Sequence, residues 1–355
     1  MLRKILLLLV ALTAAGLAIF YWTTRPLPIL TVTSWAGAYG RAQAVAQMRP
    51  YAAARHVDVH LAQWDGELSG LKGDVVDFEL PGAVEACRRG LLEKMDASDL
   101  PPGADGVPAA KDFIPAAFGP CWIGSIVYSQ IILTAPHAFA AAPTHLADFF
   151  DTAKFPGKRA LKRGSGKYNL EMALLADGVA PRDVYPTLST GPGLARALHK
   201  LDSLGASRVW YIADGEAPDL IKSGGAVFAT ALNGQFYDAA LKGAAPGVIW
   251  DRQLYEFDAF AIPAGNANKA LALDYIRFAT GSQPLAGVAN WVPYGPARRS
   301  ARALVGKNPE LGTQMQPFLP TAHFSTAFAV DDAWWRVNGE RVDAAWRNWL
   351  ADSAH

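Results

Sequence analysis

Aromatic and acidic side chains recur in this sequence where predicted strands end or return. Trp35 and Tyr39 follow the first apolar run, and Glu79 follows a later one. Aromatic rings exclude water and attract a cation, and carboxylates accept hydrogen bonds from an ammonium group. The combination therefore suits an aliphatic solute that carries an amine. The second half of the chain extends the set with Asn233, Glu256, Asp258 and Tyr294.

Sequence motifs for catalysis are missing. Residues 164–169 (GSGKYN) lack the first glycine of a phosphate-binding loop and have Tyr168 where Ser or Thr would bind magnesium. Neither G-x-S-x-G nor H-E-x-x-H occurs, and the seven histidines lack metal-ligand spacing. We therefore predict a binding protein that is not an enzyme and has no cofactor or metal. A membrane-tethered periplasmic enzyme or a sensory module on the same scaffold is the alternative.

The overall composition restricts the class of partner. The chain has 355 residues, of which 33 are basic and 32 acidic. This balance, without a basic tract, argues against nucleic acid and favours a small or neutral partner. Hydrophobic residues make up 51 % of the sequence, which is ample for packed cores. Because domains commonly contain ~100–200 residues, two domains are predicted.

The N-terminal segment is typical of export. Arg3 and Lys4 precede an uncharged apolar run over residues 5–22. Small residues near Gly16 favour cleavage by a signal peptidase, whereas the aromatic residues up to Trp22 favour retention. Residues 1–25 are therefore predicted to be a signal peptide or an N-terminal membrane anchor. Both outcomes place the rest of the chain in the periplasm, free or tethered to the inner membrane.

The elements that must position these side chains alternate along the chain. Short apolar runs alternate with amphipathic stretches, which predicts an α/β fold whose strand ends carry the site. The run at residues 124–134 predicts a strand between two lobes, and Asn233 with Gly234 predicts a tight corner before a helix. Near the C-terminus a stripe at helical spacing predicts core packing: Trp335, Val342, Trp346 and Trp349.

The sequence contains two cysteines, Cys87 and Cys121. In an oxidising compartment a lone pair of this kind predicts one disulfide, with two buried thiols as the alternative. The C-x-x-C spacing of a redox dithiol is absent.

An ordered series of segments resembles the periplasmic solute-binding proteins of ABC importers, of the spermidine/putrescine-binding type. The series includes LTVTSWAGAYG, GDVVDFELPGAVEACRRGLLEKMD, ALNGQFYDA and VPYGPARRSA. The resemblance implies a two-lobed type II periplasmic binding protein with a hinge and an interlobe ligand cleft. It implies discontinuous lobes, residues 26–130 with about 262–300 and residues 131–261 with about 301–355. It also implies a monomer that delivers its solute to an ABC permease in the inner membrane.

The resemblance also carries a binding site. Trp35 matches the first aromatic wall, and Asp258 matches the carboxylate that holds an amine. Asn233 matches the asparagine of a Trp-Asn-Gly corner, in which Leu232 replaces the aromatic residue. The complete predicted substrate-binding set is Trp35, Tyr39, Glu79, Tyr168, Asn233, Glu256, Asp258 and Tyr294.

One departure from this resemblance concerns the solute. Where polyamine binders carry acidic residues before a helix, this chain has Ser165 and Tyr168, with Arg163 and Lys167 nearby. At an effective dielectric of about 20, a like charge ~4 Å from an ammonium costs several kcal/mol. We therefore expect a polyamine-like or other amine-bearing solute, with a shorter amine or an amine-plus-anion compound as the alternative to a long polyamine.

Overall fold

The computed structural model describes residues 26–244 and 246–352, together with Thr13. The predicted export segment, residues 1–25, otherwise lies outside the described residues. Within the ranges described, no helix has the length and apolar character needed to span a bilayer.

The strands follow the short apolar runs of the sequence, because β-branched and aromatic residues pack well on a pleated surface. The strands are β1 (Ile29–Ser34), β2 (Asp58–Gln63), β3 (Val75–Glu79), β4 (Phe118–Gly119), β5 (Trp122–Thr134), β6 (Arg159–Lys162), β7 (Arg208–Tyr211), β8 (Phe228–Leu232), β9 (Gly247–Ala261), β10 (Gly295–Pro296) and β11 (Phe328–Ala329).

The helices follow the amphipathic stretches, and a π-helical segment, Ala44–Met48, joins the first two into one rod. The α-helices are α1 (Gly37–Gln43), α2 (Arg49–Arg55), α3 (Leu80–Arg88), α4 (Ala109–Asp112), α5 (Asn169–Ala176), α6 (Val184–Leu188), α7 (Gly191–Asp202), α8 (Glu216–Lys222), α9 (Asn233–Leu241), α10 (Lys269–Ala279), α11 (Ser282–Trp291), α12 (Arg299–Arg302) and α13 (Asp332–Asp352). Short 3-10 helices cover Ala97–Asp99, Leu146–Phe149, Pro181–Asp183, Gly205–Ser207, Gln316–Phe318 and Pro320–Thr326.

The sheet consists of two parallel halves joined by a long antiparallel pair. Its strand order is β2-β1-β3-β9-β5-β8-β6-β7. Strand β1 pairs in parallel with β2 and β3, and β6 pairs in parallel with β7 and β8. Between these halves, β9 and β5 pair antiparallel along most of their length. The two-lobed α/β fold with crossing hinge strands, as predicted from the sequence, is confirmed.

Each half of the sheet is packed in its own hydrophobic cluster. The first contains Leu30 and Phe260, and the second contains Phe228 and Trp346. The clusters meet within β9, because Leu254 packs in the second and its neighbour Tyr255 in the first. This meeting point precedes the lobe limit near residue 262 that the sequence suggests. The limits of the lobes stay a prediction.

Two local expectations differ from the structure. Helix α9 begins directly at Asn233, without the tight Asn-Gly corner that was expected. The reason is that the Asn233 side chain accepts a hydrogen bond from the Ser129 backbone N–H and donates one to the Pro293 carbonyl. The amphipathic pattern of residues 81–95 (PGAVEACRRGLLEKM) predicts a helix of that length, but α3 ends at Arg88, because Gly90 takes a left-handed φ of 70° there.

The expected disulfide is present. Cys87 at the end of α3 and Cys121 before β5 are bonded, with their Cα atoms 5.8 Å apart. The bond links the helix that follows Glu79 to the strand that carries Tyr128. It therefore ties together two elements that reach the candidate site described below.

Candidate ligand-binding cleft

A cleft of about 900 Å³ lies between the two halves of the molecule. This volume falls within the ~300–1,000 Å³ range of small-molecule sites. Helix α1 and the π-helical segment form one wall, and α9 with the loop near Glu310 forms another. Between these walls, the cleft surface is formed by residues of the sheet strands. Five of the residues predicted from the sequence lie on the cleft surface: Trp35, Tyr39, Glu79, Asp258 and Tyr294.

Strand register brings the acidic side chains together. Glu79 at the end of β3 pairs directly with Asp258 on β9. Glu256 precedes Asp258 by two residues, so both side chains project from the same face of the sheet. Tyr128 on β5 pairs with Glu256 and also lines the cleft. The result is a row of three carboxylates on one face, Glu79, Asp258 and Glu256, which we call the acidic row.

An aromatic wall adjoins the acidic row. The rings of Tyr39 and Tyr294 meet edge to face with their centroids 5.7 Å apart. Trp35 and Tyr294 pack against a buried cluster that includes Tyr39, Ile126 and Val292. Such rings exclude water and present their negative faces to a cation. This wall therefore suits an alkyl chain that ends in an ammonium group.

A buried carboxylate lies behind the aromatic wall. Asp77 accepts hydrogen bonds from the Ser34 hydroxyl at 2.9 Å and the Gln43 amide at 2.7 Å. Burial raises the pKa of Asp77 to about 6, although these donors oppose the rise. The hydroxyl of Ser125 contacts both Asp77 and Tyr39. A network of buried polar groups thus connects the first lobe to the residues of the cleft.

Asp258 lacks a cationic partner in the part of the chain that the structure describes. Its side chain is 5 % exposed, and no described lysine or arginine lies within 4.0 Å of its carboxylate. Burial raises its pKa well above the usual value, and the charges of Asp77, Glu79 and Glu256 raise it further. The Trp35 indole opposes this rise. A ligand ammonium would supply the cation that favours the charged form of Asp258.

Glu256 and Tyr168 are hydrogen-bonded to each other and do not form part of the cleft surface. The Tyr168 hydroxyl donates a hydrogen bond to Glu256, and the Lys167 ammonium lies 2.5 Å from the same carboxylate. The Lys167 ammonium also lies 3.1 Å from Asp332. The structure therefore assigns these side chains to an internal network beside Asp258, and a direct ligand contact by Glu256 or Tyr168 stays a prediction.

Asn233 also lies off the cleft surface. It is fully buried, and its side-chain oxygen accepts a hydrogen bond from the Ser129 N–H on β5. Its side-chain nitrogen donates to the Pro293 carbonyl and, at 3.3 Å, to the Phe318 carbonyl. Its neighbour Gly234 lines the cleft in its place. Through Pro293, Asn233 fixes the backbone next to Tyr294. Its contribution in this structure is thus to position an aromatic residue of the wall, and a ligand contact by Asn233 itself stays a prediction.

The cleft surface also contains residues that the sequence did not predict, among them Tyr128, Arg41 and Arg49. Tyr128 lies two residues after Ile126 on β5, so both side chains are on the face that lines the cleft, and this period of two is visible in the sequence. The arginines are exposed on the first rod, and neither forms an ion pair within 4.0 Å among the described residues. Arg163 and Lys167, which the sequence suggested near the site, do not line the cleft. The arginines on the cleft surface, Arg41 and Arg49, therefore come from the first rod.

Comparison with known proteins agrees with this architecture. A family model described as bacterial extracellular solute-binding protein matches residues 61–313. A gamma-aminobutyric acid-binding protein of Pseudomonas aeruginosa is 34 % identical over 333 residues, which cover 91 % of each chain. The solved structure of a GABA receptor is 28 % identical with a TM-score of 0.73, and covers 92 % of this chain and 98 % of its own.

A further solved structure, an ABC transporter substrate-binding protein from Bradyrhizobium japonicum, is 26 % identical. Its TM-score is 0.75, and the match covers 91 % of this chain and 99 % of that one. The broad resemblance seen in the sequence is confirmed, whereas none of the three relatives named here is described as a spermidine or putrescine binder. The chain therefore belongs to the bacterial extracellular solute-binding protein family and is a solute-binding receptor, not an enzyme.

Proposed function

We propose that this protein is the periplasmic receptor of an ABC importer for a short amine-bearing solute of the ω-amino acid type, such as GABA. The observation that carries the proposal is the pairing of Glu79 with Asp258 beside the aromatic wall, without a lysine or arginine within 4.0 Å among the described residues. A buried carboxylate is strongly disfavoured unless a cation accompanies it. A solute ammonium fits this requirement.

The basic groups of the cleft favour a solute that also carries a negative charge. Arg41 and Arg49 line the same cleft as Asp258 and Glu79, and the acidic residues Asp238 and Glu310 lie on its opposite wall. A guanidinium binds a carboxylate well and repels a second ammonium. The cleft therefore suits a zwitterion with separated ends better than a polyamine. Two relatives named for GABA, at 34 % and 28 % identity, support this choice.

The proposed mechanism is a ligand-driven shift between open and closed lobes. The cleft takes residues from α1 on one side and from α9 on the other. A solute that contacts both walls binds the closed form more tightly, and only this difference in affinity shifts the equilibrium. An ABC permease would recognise the closed monomer and receive the solute from it.

Titration calorimetry with matched analogues tests this function. We expect one GABA to bind per chain. Butyrate lacks the ammonium and n-butylamine lacks the carboxylate, so each should bind about tenfold or more weakly, since one charge-assisted hydrogen bond contributes ~1.5–3 kcal/mol. Putrescine has the same carbon chain with two ammoniums and should also bind weakly. If GABA binds no more tightly than butyrate, the proposal is wrong.

Solute affinity is expected to fall as the pH is lowered. The pKa of Asp258 is raised by burial and by neighbouring carboxylates, so acid neutralises the group that holds the ammonium. Below this raised pKa, Kd should increase about tenfold per pH unit. Binding should also release protons at pH values below this raised pKa, because an ammonium favours the charged form. Calorimetry in two buffers of different ionisation enthalpy measures this release, and a heat independent of the buffer would contradict the role of Asp258.

A further inference from the structure

The ammonium of Lys167 is bound between two buried carboxylates next to the cleft. It lies 2.5 Å from Glu256 and 3.1 Å from Asp332, whose side chains are 1 % and 2 % exposed. Lys167 itself is 21 % exposed. We call the site formed by Glu256 and Asp332 a cation position, because two buried carboxylates there can bind one cation. The protein's own Lys167 ammonium fills it.

This filled position adjoins the carboxylate proposed to hold the solute. Glu256 and Asp258 lie two residues apart on the same face of β9. At ~3.4 Å per residue, their attachment points are separated by ~7 Å. That spacing is similar to the distance between the nitrogens of an extended four-carbon diamine. The acidic row therefore has two adjacent cation positions, and Lys167 occupies one of them.

The loop before α5 holds Lys167 in place. Tyr168 has a left-handed φ of 68°, which is uncommon for a residue with a side chain. In this conformation its hydroxyl donates to Glu256. The Asn169 amide donates to the carbonyls of Lys162 and Ser165 and so closes the loop. Backbone strain of this kind persists where surrounding contacts impose it, and it clusters at ligand sites.

The second carboxylate retains unused capacity for hydrogen bonds. Among the described residues, the buried Oδ2 atom of Asp332 has no hydrogen-bond partner, while Oδ1 accepts from Lys167. A buried acceptor without a donor is unfavourable. An ammonium that entered from the cleft in place of Lys167 would meet acceptors on both Glu256 and Asp332.

We propose that Lys167 determines specificity as a tethered ammonium that fills the second cation position and makes the cleft prefer solutes with one ammonium over α,ω-diamines. This inference rests on the proposed function for the identity of the first position, Asp258. Removing the Lys167 charge leaves Glu256 and Asp332 without their cation. The second ammonium of a diamine would then supply it.

The test compares GABA and putrescine by calorimetry on the wild type and on Lys167→Ala. We expect the affinity for putrescine to rise about tenfold or more in the variant, and the affinity for GABA to stay within about threefold. Lys162→Ala is the matched control, because Lys162 pairs with Asp214 at 2.6 Å on the surface and is 42 % exposed. That control should leave both affinities unchanged.

Two further variants keep the outcomes separate. Lys167→Ala with Glu256→Gln removes the carboxylate as well as the ammonium, and the gain for putrescine should disappear. If alanine prevents folding, Lys167→Gln keeps a donor of similar length without the charge and should show the same gain. A folded Lys167 variant without a gain for putrescine overturns this inference. Failure of the wild type to bind GABA instead overturns the proposed function, since the change for putrescine is measured independently.

Discussion

Replacing Asp258 by asparagine is expected to remove most solute affinity and to stabilise the solute-free protein. Asparagine has nearly the same shape but no charge, so the fold is retained. Truncating one partner of a buried charge pair costs ~2–5 kcal/mol, which corresponds to a rise in Kd of about 100-fold for a mid-range loss of ~3 kcal/mol. Calorimetry with GABA on wild type and Asp258→Asn measures this loss.

The gain in stability has the same electrostatic origin as the loss of affinity. Without a solute, burial and the charges of Asp77, Glu79 and Glu256 oppose ionisation of Asp258. Because the pKa of Asp77 is also raised, to about 6, stability from these groups is present at acid pH and is lost as pH rises through their folded pKa values. As pH rises through this range, the free energy of unfolding of the variant should therefore increasingly exceed that of the wild type.

Asp214→Asn is the control for this prediction. Asp214 pairs with Lys162 on the surface and is 39 % exposed, so its substitution should change neither affinity nor stability appreciably. Urea unfolding monitored by fluorescence gives the stability of each solute-free protein. A solute affinity within threefold of the wild type would exclude Asp258 from the site. A large loss of stability would contradict the electrostatic explanation of its environment.

Replacing Arg298 by alanine is expected to lower the free energy of unfolding more than any other substitution proposed above. The Arg298 guanidinium lies 2.8 Å from Asp112, and both side chains are 1 % exposed. It also donates to the Pro101 carbonyl at 2.5 Å and lies over the Phe113 ring. Removing one member of a buried ion pair leaves an uncompensated charge and costs ~3–5 kcal/mol. Urea unfolding of the solute-free protein measures the change.

The neighbouring arginine provides the matched control. Arg299 is exposed and donates only to backbone carbonyls, at 2.7 and 3.0 Å among the described contacts. Its substitution by alanine should lower the free energy of unfolding by no more than about 1 kcal/mol. The short strand β10 begins directly after Tyr294 and pairs with β5, and Arg298 lies two residues beyond the end of β10. We therefore expect Arg298→Ala also to weaken solute binding several-fold, and an equal loss of stability in both variants would contradict the role of the buried pair.

Local structure followed from local sequence because its causes are short in range. Residues 249–263 (IWDRQLYEFDAFAIP) have an alternating pattern that predicts a strand, and that alone places Glu256 and Asp258 on one face of β9. The stripe on α13 predicted a buried face, and Trp335, Val342 and Trp346 are buried there. The two cysteines allowed a single intramolecular pairing, which the structure contains.

Side-chain partners far apart in the chain could not be predicted in this way. Lys167 and Glu256 are separated by 89 residues, and their contact depends on how the loop before α5 packs on β9. The position of Asn233 behind the cleft depends on the backbone near Pro293, 60 residues away. Arg41 and Arg49 look like ordinary solvated residues of a helix until the second lobe faces them.

The sequence by itself determined the α/β class, the family resemblance and the identity of the cysteine pair, and it predicts Asp258 as the amine-binding carboxylate. Only the tertiary structure decided which acidic residues have a cationic partner, since this depends on the cations that folding brings to them. Glu256 receives Lys167, whereas no described lysine or arginine lies within 4.0 Å of Glu79 or Asp258. Coulombic pairing acts over a few ångströms of space rather than along the chain, so only the folded arrangement distinguishes a carboxylate with a cationic partner from one without.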